Sequence, residues 1–337
     1  MTDDLARTVR RLLEQRLPST DLVRDLGDPA LQERVDGWLA RDLGVADLLL
    51  DGGTLADTAA VARELGRACA PSDFVTSTVL AGGLLGRLDA ARPGSVACVA
   101  IPWDAPPGAL TTTVTTDGRT ARGSVRNVAG LLRADLVVVP ADHDGELVLL
   151  AVEPSEVRPV TSFDQTRPLA DLILDQSPAE VVARGERAAE AIARALLEAR
   201  AVLASEQVGL AEWCLAATVE HVSNRRQFGR LLGSFQALKH RLALAWVDVD
   251  GASAAAARAA TAADHDDHAL LVHVAQSFCS EVAVDVAESC LQLHGGTGMT
   301  WEHPLHVYLK RAVADRVALG SPEQHRRALA DLVDLPA

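Results

Sequence analysis

Two segments of the chain combine residue types that suit the binding of an anionic ligand. The first, residues 224–236, places Arg225, Arg226 and Arg230 around a Phe-Gly pair, between two long stretches with helical apolar periodicity. Arginine presents a planar, permanently charged fork that matches phosphate oxygens, and the phenylalanine offers a face to a ring. The segment therefore predicts a contact with a phosphate-bearing molecule.

The second segment, residues 291–306, ends a helical pattern on Gly295-Gly296 and continues directly into a cluster of tryptophan and histidine residues. Because glycine has no Cβ, a backbone N–H at these positions can come close to an anion. Taken singly, each segment is also typical of an ordinary helix end, solvated in the first case and stopped by glycine in the second. From the residue types alone, both interpretations of each segment, a diphosphate site and an ordinary helix end, stay open.

The elements that position these segments follow from the period of the apolar residues. Residues 5–88 have helical periodicity, interrupted at Pro18 and at Asp51-Gly52, after which Thr54 is a predicted helix cap. A β-strand pattern follows, and its predicted strands are residues 96–101, 111–116, 134–140 and 147–152, with turns at Asp117-Gly118 and at 143–145. These strands predict a small antiparallel β unit.

Helical periodicity resumes at Ser177-Pro178, which reads as an N-cap followed by proline at the first helical position. The fold class is therefore mostly α with a small β domain. We divide the chain into an N-terminal helical domain (1–88), a middle β domain (89–175) and a C-terminal helical bundle (176–337).

Composition narrows the class of protein. A content of 48% hydrophobic residues indicates a globular chain, and the net charge of −14 argues against a nucleic-acid partner. The five cysteines have no C-x-x-C spacing, which predicts reduced, buried thiols. The acidic start is unlike a signal peptide, and we expect no segment apolar enough to span a membrane. These features predict a cytoplasmic protein without a membrane partner.

Two histidine-containing stretches hold residue types that bind metals. Residues 265–268 and 302–306 do not have the His-Glu-x-x-His spacing of a helical zinc site, so we expect no metal. Asp315 and Arg316 are expected to be ordinary charges on a helix surface.

Taken in order, the two segments resemble motifs of the acyl-CoA dehydrogenase family. The family's Arg-x-x-Phe-Gly…Phe-Gln segment is matched by Arg225, Phe228, Gly229, Phe235 and Gln236. Its Gln-x-x-Gly-Gly-x-Gly…Glu-x-Pro segment is matched by Gln292, Gly295, Gly296, Gly298, Glu302 and Pro304. The resemblance implies the family's three-domain fold, FAD as cofactor and an acyl-CoA thioester as substrate. The implied reaction removes the α proton to a carboxylate base and transfers a β hydride to the flavin.

The resemblance also implies cofactor contacts, because the family's FAD crosses a subunit boundary with its adenosine diphosphate half. The implied contacts are Arg225 to the pyrophosphate, Phe228 to the adenosine, and Gln292, Gly295 and Gly296 lining the same half for a neighbouring subunit. Leu232, Phe235 and Leu238 fall beside the adenine, or are simple core residues.

The family's catalytic base has no counterpart at its usual positions. One position falls on Leu319, before Gly320, and the other, on the long helix, falls on Ala199. Glu198 is a candidate base only with a one-residue slip of register, because neighbouring helical residues point about a quarter-turn apart. The family's Gly-Ser-Asp turn is also absent, and Ile-Pro-Trp-Asp-Ala-Pro-Pro-Gly, residues 101–108, stands in its place.

This combination resembles the degenerate β-type subunit of bacterial heteromeric (α2β2) acyl-CoA dehydrogenases, some of which act on steroid side-chain or other bulky thioesters. We therefore expect an oxidoreductase subunit that completes an FAD site shared with a second acyl-CoA dehydrogenase-like chain in a heterotetramer. One alternative is a self-sufficient homo-oligomer that uses Glu198. Another is a non-catalytic scaffold or a flavin-free acyl-CoA-binding homologue.

Overall fold

In the described residues, 2–108 and 110–333, the computed structural model contains ten α-helices and two sheets. The helices are α1 (Thr2–Arg16), α2 (Ser19–Arg24), α3 (Pro29–Arg41), α4 (Leu55–Arg67), α5 (Gly82–Arg87), α6 (Gly185–Asn224), α7 (Gln236–Thr261), α8 (His268–His294), α9 (Leu305–Asp315) and α10 (Pro322–Leu332). The strands are β1 (Ala97–Val99), β2 (Val114–Thr116), β3 (Thr120–Ala129), β4 (Leu136–His143), β5 (Glu146–Val152), β6 (Glu156–Val160), β7 (Leu169–Arg184), β8 (Arg226–Gln227) and β9 (Arg230–Leu231). The predicted fold class, mostly α with a small sheet, is confirmed.

Local sequence sets the start of α4. Thr54 accepts a hydrogen bond from the N–H of Asp57 at 3.2 Å, and the Asp57 carboxylate accepts one from the N–H of Thr54 at 3.1 Å. This reciprocal capping box satisfies two N–H groups that lack partners within the helix. The cap predicted at Thr54 is therefore confirmed, as is the helix that follows it.

The middle strands close into a ring. β4 pairs with β2 and with β5, β2 pairs with β3, and β7 joins β3 to β5, while β1 also pairs with β4 and β6 with β7. All four strands predicted from the sequence are present, but the prediction of a purely antiparallel unit is wrong, because β1 and β2 both pair with β4 in the parallel direction. The turn predicted at Asp117-Gly118 joins β2 to β3.

The helix start predicted at Ser177-Pro178 is wrong, because β7 continues through it to Arg184 and α6 begins at Gly185. Ser177 pairs with Ala121 and Pro178 with Thr120 across the β3–β7 ladder. Proline favours an extended conformation in the residue before it, so the dipeptide suits a strand as well as a helix cap. The three-domain division stays a prediction, and its ends, Met1 and residues 334–337, lie outside the described residues.

Two hydrophobic cores support the fold. The larger lies among the helices, and the smaller lies inside the ring of strands. All five cysteines are free and buried, as the sequence predicted: Cys69, Cys98, Cys214, Cys279 and Cys290.

The expectation that no stretch is apolar enough to span a membrane is wrong by length and composition alone. His268–Met299 meets that test with a mean hydropathy of 1.3, and 56% of its apolar window is buried. It consists of α8 and the turn after it, and α8 packs against α6, α7 and α10. A core helix of this kind is apolar because it is enclosed by other helices.

Candidate functional site

The first motif segment folds into a tight hairpin after α6. Gln227 pairs with Arg230, so Phe228 and Gly229 form a two-residue loop. Both have positive φ, +52° and +75°, as the preferred two-residue hairpin turn requires, and glycine adopts this conformation without strain. The turn leaves 85% of Phe228 exposed. The Phe-Gly pair therefore presents an aromatic ring outside the fold.

Arg225 and Phe235 flank this hairpin. The N–H of Arg225 donates to the His221 carbonyl, and the Arg225 carbonyl accepts from the N–H of Leu232, both at 2.9 Å. The Arg225 side chain is exposed, whereas Leu232 and Phe235 are half-buried. The Arg230 guanidinium lies 3.7 Å from the centroid of the Phe235 ring, a cation–π contact. Arg225 is therefore exposed, with its backbone fixed at both its N–H and its carbonyl.

The second motif segment leaves its glycines open. Gly295 ends α8 with φ of +60°, and a Cβ built on Gly295 or Gly296 would meet nothing within 4 Å. Gln292 is exposed on the last turn of α8. The backbone at these glycines is therefore open to an external group.

The structure brings the ends of both segments together. His221, one turn before Arg225, packs against His294, the residue before Gly295, with ring centroids 4.2 Å apart. Burial, followed by the His294 ring and the Arg225 charge, lowers the pKa of His221. The two motifs thus share one end of the helical bundle. The cofactor roles assigned to their residues stay predictions.

Neither usual base position carries a titratable group, and both side chains, Leu319 and Ala199, are buried. Leu319 has φ of +55°, and its N–H donates to the Trp103 carbonyl at 2.6 Å. The loop after α9 therefore lies directly against the loop after β1, residues 103–107, which we call the 103–107 loop. These are the two places that the resemblance assigns to the base and to the flavin side of the middle domain.

Arg200 joins these two loops by hydrogen bonds, a role that was not predicted from the sequence. Its Nε–H donates to the Leu319 carbonyl at 2.9 Å and its Nη2–H to the Pro106 carbonyl at 3.1 Å. Burial alone lowers the pKa of Arg200 to about 10, since no carboxylate faces it among the described residues. The sequence does contain a signal for this role, because Arg200 lies within the apolar run of α6, where a buried charge needs hydrogen-bond partners.

A buried histidine pair fills the adjoining space. The Nδ1 atoms of His273 and His325 are 2.9 Å apart. Burial, together with the Arg200 charge, lowers the pKa of His273 to about 4 and that of His325 to about 3, so both rings are neutral near pH 7. A Cβ on Gly320 would lie 2.7 Å from Pro107 and 2.9 Å from His325. Even a methyl group has no room at this point.

Glu198 lies on another side of α6. Its carboxylate accepts from Arg87 at 2.6 Å and from Arg194 at 2.9 Å, and it lines a cavity of about 590 Å³ with Gly83 and Gly86. Its neighbour Arg200 points to the Leu319 loop instead, as helical geometry requires of residues two positions apart. The base role of Glu198 stays a prediction, and its ion pairs with two guanidinium groups do not favour it.

Five charged residues form a buried ion network between the β domain and the helices: Asp164, Arg167, Glu206, Arg311 and Asp315. The expectation that Asp315 is a surface charge is wrong, because its side chain is 0% exposed and it pairs with Arg167 at 2.5 Å. Burial raises the pKa of Asp315 to about 7, helped by the charges of Glu206 and Asp164 and opposed by the arginines. Arg316 does lie at the surface, 3.4 Å from Glu323.

Within residues 2–108 and 110–333, no group of three or more histidine, cysteine or acidic residues is arranged to hold a metal ion. In the second of the two histidine-containing stretches, the His303 ring packs on His294 and the His306 ring on Trp301.

Comparison with known proteins gives consistent matches. Residues 189–333 match the family model described as acyl-CoA dehydrogenase, C-terminal domain. The chain is 35% identical over 308 residues to acyl-CoA dehydrogenase IpdE2 of Mycobacterium tuberculosis, covering 90% of this chain and 87% of the relative. It is 32% identical to IpdE2 of Mycolicibacterium smegmatis, covering 96% of each. Acyl-CoA dehydrogenase FadE34 of Mycobacterium tuberculosis is 32% identical, but the chain covers only 44% of it.

Solved structures agree with these matches. The chain superposes on a chain of the ChsE4-ChsE5 complex from Mycobacterium tuberculosis with a TM-score of 0.87 and 25% identity, covering 100% of this chain and 98% of that one. A glutaryl-CoA dehydrogenase from Mycobacterium smegmatis in complex with FADH2 shares the fold, with a TM-score of 0.82 at 18% identity, covering 100% of this chain and 95% of that one.

Proposed function

Because the chain belongs to the acyl-CoA dehydrogenase family, we propose that it is one subunit of a heteromeric, FAD-dependent enzyme that desaturates an acyl-CoA thioester at its α,β bond. In this proposal a second acyl-CoA dehydrogenase-like chain supplies the catalytic base and the flavin-ring pocket. The present chain completes the partner's site at the adenosine diphosphate half of FAD, and we place the assembly in the cytoplasm.

The observation that carries the proposal is the contrast between two regions of the same chain. At the end of the bundle, Arg225, Phe228 and the Gly295-Gly296 backbone face outward, where a neighbouring subunit's cofactor can reach them. At the usual base position, Leu319 is buried against the 103–107 loop. The outward half is suited to a shared cofactor, whereas the usual base position of the inward half holds a leucine, whose side chain cannot accept a proton.

The exposed residues fit the chemistry of a dinucleotide. A guanidinium and open backbone N–H groups bind diphosphate oxygens, and an exposed aromatic ring packs on the adenosine. FAD supplies a hydride acceptor once bound, and the residues of this chain hold and orient its diphosphate half. They move no proton in the reaction.

The comparisons support pairing with a second chain. The ChsE4-ChsE5 structure is a complex of two differently named proteins, and the present chain matches one chain of it along its full length. The two IpdE2 relatives are named acyl-CoA dehydrogenases, which supports the same reaction class.

Co-expression with an acyl-CoA dehydrogenase-like chain that has a glutamate at a base position tests this proposal. The co-purified complex should be yellow, with flavin absorption, and should dehydrogenate an acyl-CoA. In the Arg225→Gln complex, FAD should bind at least about tenfold more weakly, which corresponds to about 1.4 kcal/mol. Arg226→Gln, one residue along the same hairpin, is the matched control and should stay within about twofold of wild type.

Two results would refute the subunit assignment. One is robust flavin binding and dehydrogenation by this chain purified alone, which would favour a self-sufficient enzyme. The other is a complex that keeps its full flavin content after Arg225→Gln. A colourless complex in every preparation would favour the flavin-free alternative.

A further inference from the structure

Three imidazole rings, which we call the histidine column, stack between the two motif segments. His221 belongs to α6, His294 ends α8, and His303 lies in the loop before α9. The ring centroids of His221 and His294 are 4.2 Å apart, and those of His294 and His303 are 4.7 Å apart. The column therefore joins the helix end that carries Arg225 to the loop that contains Gly295-Gly296.

Hydrogen bonds assign protons within the column. Nδ1 of His294 lies 3.0 Å from the Cys290 carbonyl, so this nitrogen carries the proton. Nδ1 of His303 accepts from the N–H of Leu305 at 3.3 Å in the first turn of α9, so this nitrogen carries none. Protonation of His303 would place an N–H against an N–H and would break the contact that holds the loop to α9.

The same loop is fixed on its outer side. Nε2–H of His306 donates to the Trp301 carbonyl at 3.0 Å. The Trp301 ring contacts the His306 ring edge-on, with centroids 5.0 Å apart, and its centroid lies 4.7 Å from the Lys310 ammonium. Residues 295–304 are thus held between the ends of α6, α8 and α9 by contacts that involve four histidines.

The surroundings oppose protonation of the column. Burial is the largest cause in each case, and it lowers the pKa of His221, His294 and His306 and brings that of His303 to about 4. The neighbouring imidazoles and two cations act in the same direction, Arg225 on His221 and Lys310 on His306. Thr218 Oγ1, 3.5 Å from His294 Nδ1, is an uncharged neighbour. Among the described residues, no carboxylate offsets these positive charges.

We propose that the histidine column positions the loop that contains Gly295-Gly296 against the Arg225 end of α6, so that the loop and Arg225 hold one diphosphate. Protonation of the column then frees the loop and releases the diphosphate. This proposal rests on the proposed function, because it assigns the column to the same cofactor half-site. His221, His294 and His303 act as positioning residues, since they need not touch the ligand.

The experiment measures FAD retention by the co-purified complex between pH 8 and pH 4.5, with near-UV circular dichroism to confirm folding at each pH. Wild type should lose FAD as the pH falls below 6.5, the ordinary value for histidine. His303→Asn has a side-chain oxygen that can accept from Leu305 but cannot be protonated, so its release should shift to lower pH. His303→Lys carries a permanent charge and should bind FAD at least about tenfold more weakly at pH 7.5. His265→Asn, at an exposed site between α7 and α8, is the matched control.

A second measurement separates this proposal from the proposed function. Hydrogen exchange of the peptide covering residues 291–305 at pH 7.5 should be faster in His303→Lys than in wild type and in His265→Asn, with or without flavin. Unchanged exchange in the lysine variant, or identical release curves for wild type and His303→Asn, would overturn the column's role. A wild-type complex without flavin would refute the proposed function and the release of FAD, and would leave the positioning role to be judged by exchange alone.

Discussion

The substitution Glu206→Gln removes the central carboxylate of the buried ion network and should lower the free energy of unfolding by about 3–5 kcal/mol. Glu206 accepts from Arg167 Nη2 at 3.0 and 2.9 Å, and from Arg311 Nε and Nη2 at 3.0 and 2.6 Å. Glutamine has nearly the same volume, but one of its two acceptors becomes an N–H donor that faces a guanidinium. The two arginines then keep only Asp315 and Asp164 as counter-ions.

The magnitude follows from the charge and the burial of these bonds. A hydrogen bond to a charged group contributes about 1.5–3 kcal/mol, and at least two of the four bonds lose their charge or their acceptor. All of the side chains involved are at most 5% exposed, so water cannot replace the lost partner. The expected loss is therefore far larger than for a surface ion pair.

Urea unfolding, followed by tryptophan fluorescence at a fixed protomer concentration, measures this loss, because subunit association also contributes to apparent stability. Asp175→Asn is the control, since the Arg122–Asp175 pair is 66% and 71% exposed and should contribute less than about 1 kcal/mol. Arg167→Met combined with Glu206→Gln should cost less than the sum of the two single changes, because removing both partners leaves fewer unpaired charges. If Glu206→Gln costs no more than Asp175→Asn, the argument that this network joins the β domain to the helices is wrong.

Two further predictions concern pH and helix packing. Burial lowers the pKa of His273 to about 4 and that of His325 to about 3, from the ordinary 6.5. Between these lowered values and 6.5 the unfolded state binds more protons than the folded state, so the free energy of unfolding should rise with pH across that window. The pKa of Asp315 is raised from 3.8 to about 7, so this group makes the free energy of unfolding fall as the pH rises between those values. His325→Gln should therefore flatten the measured curve of unfolding free energy against pH, and Asp315→Asn should steepen it. A Cβ on Gly209 would lie 1.9 Å from the Arg63 carbonyl, so Gly209→Ala should force α4 and α6 apart and lower the thermal midpoint. Gly296→Ala is the control, because a Cβ at Gly296 meets open space, and it should leave the thermal midpoint nearly unchanged. Gly44→Ala would not serve, because Gly44 has a positive φ that strains alanine.

The sequence by itself determined features that depend on neighbouring residues. Thr54 and Asp57 form a cap because three residues of separation place each side chain at the other's backbone N–H. Asp117-Gly118 makes a turn for similarly local reasons. The order of the two motif segments was sufficient to predict the family and its fold.

Tertiary structure decided the features that depend on residues far apart in the chain. Ser177-Pro178 suits a helix start or a strand equally well, and pairing with β3 selects the strand. Asp315 looked like a surface charge because nothing near it in sequence shows that Arg167, 148 positions away, lies 2.5 Å from it. Leu319 indicated a missing base, but only the fold shows that the Trp103 carbonyl and Arg200 close that position. A charge or a backbone group becomes buried only when distant segments pack over it. The apolar periodicity of one segment does not show which distant segment will pack there.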